Sequence, residues 1–358
     1  MAVSAVALCP QRFYTCFLAQ GITASRLKGW VADVVSKRIL VTGGAGFIGS
    51  HLTDALIARG YRAVVLDNLS SGRRDHVNAA AEFVQGDVTE PAHLEPIFAQ
   101  GVDAVLHLAA QASIRLSFAD PAHDLRTNTL GTINILQACL AYRVPRLIFA
   151  SSMTIYGNGN PVPTPESAPP DPASYYAIAK YAAERYVHLT AARRDLDFQF
   201  NVTSFRMFNV YGERQSLTNA YQGVLAIFIG NVLRGEPITI HSDGEQSRDF
   251  VHISDVVRAW MDALEQPATY GQVINLGTGT PTTVNALCDA VLSAFGKDRT
   301  SYPVRYAPAQ PGDVRASAAD IRRAKALLNW QPSVPFAEGI QRTIAWARAQ
   351  IERRADAR

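Results

Sequence analysis

The sequence predicts an α/β protein, a doubly wound parallel sheet joined to a second, smaller α/β domain, and three observations predict it. From Lys37 onward, short aliphatic and β-branched runs alternate with longer amphipathic ones. The short runs are apolar at nearly every residue, as strands covered on both faces must be. After about residue 207 the alternation breaks, and Gly and Pro become frequent.

The elements follow in order. Strands are expected at 37–42 ("KRILVT"), 62–67 ("RAVVLD"), 81–87 ("AEFVQGD"), 103–109 ("DAVLHLA"), 146–151 ("RLIFAS") and 201–207 ("NVTSFRM"). Between them, apolar residues recurring at helical spacing predict helices over 49–60 and 127–143. The proline-rich stretch 160–174 ("NPVPTPESAPPDPAS") reads as a loop over the sheet edge, because strand and helix patterns resume at once after it. Later strand candidates, "PITI" (237–240) and "VINLG" (273–277), mix with helical segments. The sheet domain is therefore expected over 37–209, with 248–276 returning to it, and the second domain over 210–247 and 277–350. Residues 1–36 are expected to be an unstructured extension, or to reflect a start assigned too early, because their apolar part lacks a basic leader and is interrupted by Pro10 and Arg12.

Composition narrows the function classes. With 358 residues, 48% hydrophobic and 18% charged, the chain can bury a large core. Its net charge of +3 is spread along the chain without a dense basic run, which argues against nucleic acid as a partner. No apolar run reaches the roughly 20 residues of a membrane span. The four cysteines, Cys9, Cys16, Cys139 and Cys288, are too far apart for a metal knuckle and too few to staple the chain. Reduced thiols in a cytoplasmic protein, with no metal site, are the expectation.

The most informative stretch is "VTGGAGFIGSHL", which sets Gly43, Gly44, Gly46 and Gly49 between the first strand and the first helix. Glycines there let the backbone turn sharply and approach a pyrophosphate, whose charge meets the N–H groups of Phe47 and Ile48 at the helix start. The second strand ends in Asp67. A carboxylate at that point accepts hydrogen bonds from an adenosine ribose and repels a 2′-phosphate, which favours NAD over NADP; Arg73 and Arg74, in the same loop, are the opposing feature.

The second informative stretch is "SYYAIAK". Residues four apart stack on one helix face, so Tyr176 and Lys180 are neighbours, whereas Tyr175 points away around the axis. A cation beside a phenol favours phenolate, and the positive ring of an oxidised nicotinamide would favour it further. Tyr176 is thus a candidate general base. His107 also invites a catalytic reading, but a histidine ending a strand before small residues is expected to be structural.

Together with "DNLSSG", "GDV", "HLAAQAS", "SSMTIYG", "RMFNVYGERQ", "DGEQSRDFVHISDV", "NLGTG" and "PGDVRASAADIRRAKALLNWQP", these stretches resemble the extended short-chain dehydrogenase/reductase superfamily. Within it they are similar to the nucleotide-sugar epimerase/dehydratase family, particularly UDP-hexose 4-epimerases, from about Lys37 to Trp346. The resemblance implies a Rossmann domain that binds NAD and a second domain that binds a UDP-sugar. It implies a Tyr-x-x-x-Lys pair at Tyr176 and Lys180, with Lys180 also bonding the nicotinamide ribose. Ser152, four residues before the tyrosine of the "YG" motif, would bond the sugar 4-oxygen. Further implied cofactor contacts are Asp87 and Val88 at the adenine, Leu108, Ala109 and Ala110 along the cofactor backbone, and Asn68 and Gly72 on the adenosine side. Arg248 and Arg315 match the family's diphosphate contacts, with Asn209 adding a hydrogen bond. Ser317 matches a gatekeeper position at the sugar C2 substituent, although a serine there could equally cap the helix that follows.

The reaction so implied is oxidation of the sugar at C4, rotation of the 4-keto sugar and reduction on its other face. Relatives that are 4,6-dehydratases or decarboxylases generally carry an acidic residue just after the Ser/Thr; here Met153 and Thr154 stand there. The same motifs also admit a UDP-glucuronate 4-epimerase, an NADP-dependent keto-sugar reductase and a non-catalytic NAD(H)-binding sensor. The resemblance further implies a homodimer, paired through a four-helix bundle that includes the Tyr176 helix.

Overall fold

The computed structural model describes residues 36–217, 223–309 and 314–356, so the extension expected at the N-terminus lies, but for Ser36, outside the described residues. The chain runs β1 (Arg38–Thr42), α1 (Phe47–Ala58), β2 (Arg62–Asp67), β3 (Glu82–Gln85), α2 (Pro91–Ala99) and β4 (Ala104–His107). Next come α3 (Ile114–Ala119), α4 (Pro121–Leu125), a π-helical turn (Arg126–Leu130), α5 (Gly131–Ala141), β5 (Arg146–Ser152), α6 (Tyr175–Ala191) and β6 (Asn201–Met207). Beyond these are β7 (Asn209–Tyr211), α7 (Val224–Arg234), β8 (Ile238–His241), β9 (Ser247–His252), α8 (Ile253–Ala263) and β10 (Gln272–Leu276). The last elements are β11 (Pro281–Thr283), α9 (Val284–Ala294), β12 (Val304–Ala307), α10 (Arg322–Leu328) and α11 (Phe336–Asp356).

Seven of these strands form one sheet in the order β3-β2-β1-β4-β5-β6-β10. Every pairing in it is parallel. The sheet is covered on both faces, as its continuous apolar strands require. On one face Leu52 and Leu56 of α1 pack with Trp260 of α8, whose ring centroid lies 5.5 Å from that of Phe205. On the other, Phe98, Ile135 and Val187, from α2, α5 and α6, bury Leu147 and Phe149. The order reverses between β1 and β4, and the crevice at such a reversal opens at the carboxyl ends of the strands.

A further core gathers Tyr211, Phe228, Phe250, Leu287 and Ile340 around a three-stranded sheet (β11-β9-β7) and a parallel pair (β12-β8). The proline-rich 160–174 contains no helix or strand. Its Thr164 is tied to the segment before α10: the Thr164 amide donates to the Ala318 carbonyl at 2.8 Å, and the Asp320 amide to the Thr164 carbonyl at 3.0 Å.

Two elements differ from expectation for local reasons. The helix expected over 127–143 opens with the π turn, which turns Asn128, Thr129 and Thr132 inward together. All three are hydrogen-bonded there: Asn128 to Asp124, Thr129 to the Ala179 carbonyl and Thr132 to the Asn128 carbonyl. The strand expected over 81–87 stops at Gln85, because the Gly86 amide turns to the Asp67 carbonyl and brings Asp87 to the cleft.

Candidate active site

A cleft of about 780 Å³ follows the carboxyl ends of the strands. Its wall at the β1–α1 turn is made of Gly43, Gly46, Phe47, Ile48 and Gly49. Gly43 has φ +69°, and a Cβ on it would stand 2.8 Å from the Ala109 amide nitrogen. A Cβ on Gly49 would stand 2.3 Å from the Gly43 carbonyl. Only glycine permits this close packing of turn, strand end and helix start. The first amides of α1, which have no acceptor within the helix, are left to face an anion.

The adenosine side follows from β2 and β3. Asp67, 7% exposed, accepts from the Ala45 amide at 3.0 Å through Oδ2 and from the Leu69 amide at 2.8 Å through Oδ1. It therefore shapes its own turn, and each oxygen keeps a second lone pair for a ribose hydroxyl. Burial raises its pKa, opposed by these two amides. Gly72 is held against it: a Cβ there would meet the Asp67 carboxylate at 2.8 Å. Asn68 Nδ2 donates to Asp87 Oδ2 at 2.8 Å, joining the two loops, and Asn68, Asp87 and Val88 line the cleft. Of the cations that could have favoured a 2′-phosphate, Arg73 lines the cleft but is paired with Asp75, and the Arg74 guanidinium lies 4.3 Å from the Phe83 ring centroid. Leu108, Ala109 and Ala110 line the middle of the cleft.

His107 is structural. It is 1% exposed, with Nδ1 2.7 Å from Thr42 Oγ1 and Nε2 3.0 Å from Thr132 Oγ1, and burial pushes its pKa down to about 3.

The floor of the cleft carries Ser152, Tyr176 and Lys180. Ser152 ends β5; Ser174 caps α6, its Oγ accepting from the Ala177 amide at 3.2 Å, which sets Tyr176 in the first turn. Ser152 Oγ is 2.9 Å from Thr154 Oγ1 and lines the cleft together with Tyr176. Burial raises the Tyr176 pKa to about 12, and the nearby Ser152 hydroxyl opposes that rise. Lys180, 3% exposed, has its ammonium 4.4 Å from the Phe149 ring centroid, and burial lowers its pKa to about 7. Tyr175 is 46% exposed and stacks edge-on with Phe118, outside the cleft.

Of the residues expected at the sugar nucleotide, Asn209 lines the cleft, whereas Arg248, Arg315 and Ser317 do not belong to its lining. Arg248 donates to the carbonyls of Ser247 and Val314, and Arg315 pairs with Asp243 at 2.7 Å. Ser317 is 3% exposed and α10 starts only at Arg322 with Ile321 at its cap, so the reading of Ser317 as a helix cap is corrected.

Sequence reasoning missed the support behind the floor. Glu184, one turn beyond Lys180 on the same face, accepts from Arg206 Nη2 at 2.6 Å and Nε at 3.0 Å, and from Ser151 Oγ at 2.6 Å. The repeat Tyr176, Lys180, Glu184 was a visible signal; the partner Arg206, on another element, was not. Asp124 was missed as well. It is 1% exposed, with Oδ1 held by Gln111 and Asn128.

The described residues thus fit a dinucleotide: a glycine turn with no room for side chains, open helix amides, a ribose carboxylate and a Tyr–Lys pair at the far end. No cluster able to hold a metal, and no helix long and apolar enough to cross a membrane, is present among the described residues. Cys139 and Cys288 are buried free thiols.

Comparison with known proteins agrees. Residues 39–277 match the model of the NAD dependent epimerase/dehydratase family. The chain is 39% identical over 318 residues to a UDP-glucose 4-epimerase of Mycolicibacterium smegmatis, covering 87% of this chain and 98% of that one. It is 33% identical over 331 residues to UDP-glucuronic acid decarboxylase 1 of Danio rerio, covering 89% and 75% respectively. A crystal structure of UDP-glucose 4-epimerase with UDP-glucose, from Thermotoga maritima, superposes with a TM-score of 0.83 at 42% identity, covering 88% of this chain and 99% of that one. Fold, cleft and matched residues together assign the chain to the NAD-dependent epimerase/dehydratase family, as an enzyme of the extended short-chain dehydrogenase/reductase fold with NAD as its cofactor.

Proposed function

We propose that the protein interconverts UDP-hexoses by inversion at C4, UDP-glucose with UDP-galactose and also their N-acetylated counterparts. The observation that carries this reading is the floor of the cleft: Ser152, Tyr176 and Lys180 converge there, while Met153 and Thr154 bring no carboxyl group beside them. Asp124 and Glu184, the carboxylates behind Lys180, are absent from the cleft lining. A dehydratase or decarboxylase needs an acid or base at the sugar's far carbons, so the similarity to a decarboxylase is read as one of scaffold.

In this reading Tyr176 takes the 4-hydroxyl proton, with Ser152 holding the same oxygen and Lys180 supplying the positive charge that makes phenolate accessible. NAD, when bound, supplies reversible hydride acceptance and return. Held in the cleft, its positive ring would offset the burial that raises the Tyr176 pKa. The sugar must turn over between the two half-reactions, so its diphosphate has to be anchored away from the floor. We assign Arg248, Arg315 and Asn209 to that anchor and Ser317 to the space around C2, with 37–209 and 248–276 as the NAD lobe and 210–247 and 277–350 as the sugar-nucleotide lobe.

A homodimer is part of the proposal. Tyr175, Ile178, Tyr186 and Leu189 of α6 are 46–66% exposed, beside Leu125 and Leu130, 55% and 44% exposed. Such an apolar stripe calls for a partner, and a second copy in a four-helix bundle would cover it.

The test is a panel of UDP-sugars incubated with the purified protein and resolved by anion exchange. Equilibration of UDP-glucose with UDP-galactose is expected. Release of carbon dioxide from UDP-glucuronate, or a 4-keto-6-deoxy product, would refute the reading.

A further inference from the structure

One buried side chain joins the floor of the cleft to the segment that carries Ser317. Asn275 lies near the carboxyl end of β10, the edge strand of the large sheet, and is fully buried in register with Arg206 of β6. Its Oδ1 accepts from the Tyr156 hydroxyl at 2.7 Å, and its Nδ2 donates to the carbonyls of Thr164 at 2.9 Å and Asp320 at 3.4 Å. Its backbone amide donates to Glu166 Oε1 at 2.9 Å. The two carbonyls can only accept and the phenol has a proton to donate, so the position needs a donor and an acceptor on one short planar head, which asparagine supplies.

Each partner leads to a different wall of the site. Tyr156 ends the short turn capped by Ser152, and its ring lies 4.8 Å from the guanidinium carbon of Arg206, which Glu184 of the Tyr176 helix holds by two hydrogen bonds. Thr164 leads to the other wall. Its amide donates to the Ala318 carbonyl at 2.8 Å and its carbonyl accepts from the Asp320 amide at 3.0 Å, while the Ala319 amide between them donates to Asp249 Oδ2 at 2.9 Å. Ser317 immediately precedes this clamped stretch; it is buried, and its Oγ has no hydrogen-bond partner among the described residues.

We propose that Asn275 is a positioning residue for sugar selectivity: it fixes the Ser317 segment relative to the Ser152 turn and so sets the room at the sugar's C2 substituent. The proposal deepens the function assigned above and rests on it for the places of Ser152 and Ser317. Selectivity then belongs to the brace as well as to Ser317. A C2 hydroxyl is too short to use that wall and an acetamido group is not, so a loosened wall penalises only the N-acetylated sugar.

The brace can be cut on one side or on both. Tyr156→Phe removes the bond to the floor and leaves Nδ2 on both carbonyls, whereas Asn275→Leu, of similar size, frees the Thr164 and Asp320 carbonyls as well. The experiment measures, by calorimetry on NAD-loaded protein, the Kd values of UDP-glucose and UDP-N-acetylglucosamine, together with hydrogen exchange at the Asp320 amide. Asn275→Leu should shift the ratio of the two Kd values by about tenfold against the N-acetylated sugar, with UDP-glucose held within about threefold. It should also speed exchange at Asp320, because the segment is less firmly held. Tyr156→Phe should leave both the ratio and the exchange unchanged. A merely structural asparagine would weaken both sugars alike. An unchanged ratio or unchanged exchange in Asn275→Leu overturns the proposal, as does an equal shift of the ratio in Tyr156→Phe, and so does a wild type that does not bind UDP-N-acetylglucosamine. Should Asn275→Leu fail to fold, Asn275→Ser is read in the same way. The Kd ratio needs no turnover, so a wild type that binds both sugars but epimerises neither would refute the proposed function while the role of Asn275 is still judged.

Discussion

The buried pair behind the active site gives a prediction whose size can be worked out. Glu184 and Arg206 are 2% and 5% exposed, and the carboxylate holds the guanidinium by two hydrogen bonds while accepting a third from Ser151. The Arg206 guanidinium carbon also lies 4.8 Å from the Tyr156 ring centroid, and Nη1 faces the Glu166 carbonyl. Glu184→Leu leaves this cation buried without a counter-charge, which costs about 3–5 kcal/mol. At about 2.1 cal/mol/K per residue over roughly 320 residues, the melting temperature should fall by about 4–7 °C. Arg206→Leu should cost as much, for the mirror-image reason. The double variant removes both charges and should recover most of the loss, because an apolar pair of similar volume is often neutral. Urea unfolding followed by circular dichroism measures all three variants. A Glu184→Leu loss below about 1 kcal/mol, or a double variant as unstable as the sum of the singles, would show that the pair is not the electrostatic unit described.

Other predictions concern the site itself. Tyr176→Phe should lower kcat by about three orders of magnitude or more with NAD still bound, and Tyr175→Phe by less than about tenfold; equal losses would sink the choice of tyrosine. Asp67→Ala should shift cofactor preference toward NADP, read as the ratio of the two Kd values, while also weakening NAD because Asp67 shapes its own loop. The Lys180 pKa falls from 10.5 in its free form to about 7 when folded. The unfolded chain therefore binds the extra proton between those values, and in NAD-free protein stability relative to Lys180→Met should rise as pH climbs from about 7 to about 10. A flat difference across that range would contradict the burial of Lys180. Finally, Ser317→Tyr should abolish turnover of UDP-N-acetylglucosamine while sparing UDP-glucose within about tenfold; loss of both would remove Ser317 from the specificity argument.

The strands, the glycine turn and the Tyr–Lys pair were legible in the sequence because each rests on short-range physics. A strand buried on both faces must be apolar throughout, a turn packed as tightly as that of Gly43 and Gly49 excludes every Cβ, and helical periodicity alone separates Tyr176 from Tyr175. What the tertiary structure decided depends on groups distant in sequence meeting away from water. Local pattern suggested that Lys180 would ease Tyr176 toward phenolate, yet burial raises the phenol to about 12 and lowers the lysine to about 7. Desolvation is a property of the assembled core, and no spacing encodes it. For the same reason the burial of Asp124 and Glu184, 1% and 2% exposed, follows only from the way α4, the π turn, α6 and β6 close around them. Ser317 likewise has the composition of a cap, and only the late start of α10 at Arg322 shows it to be an interior residue.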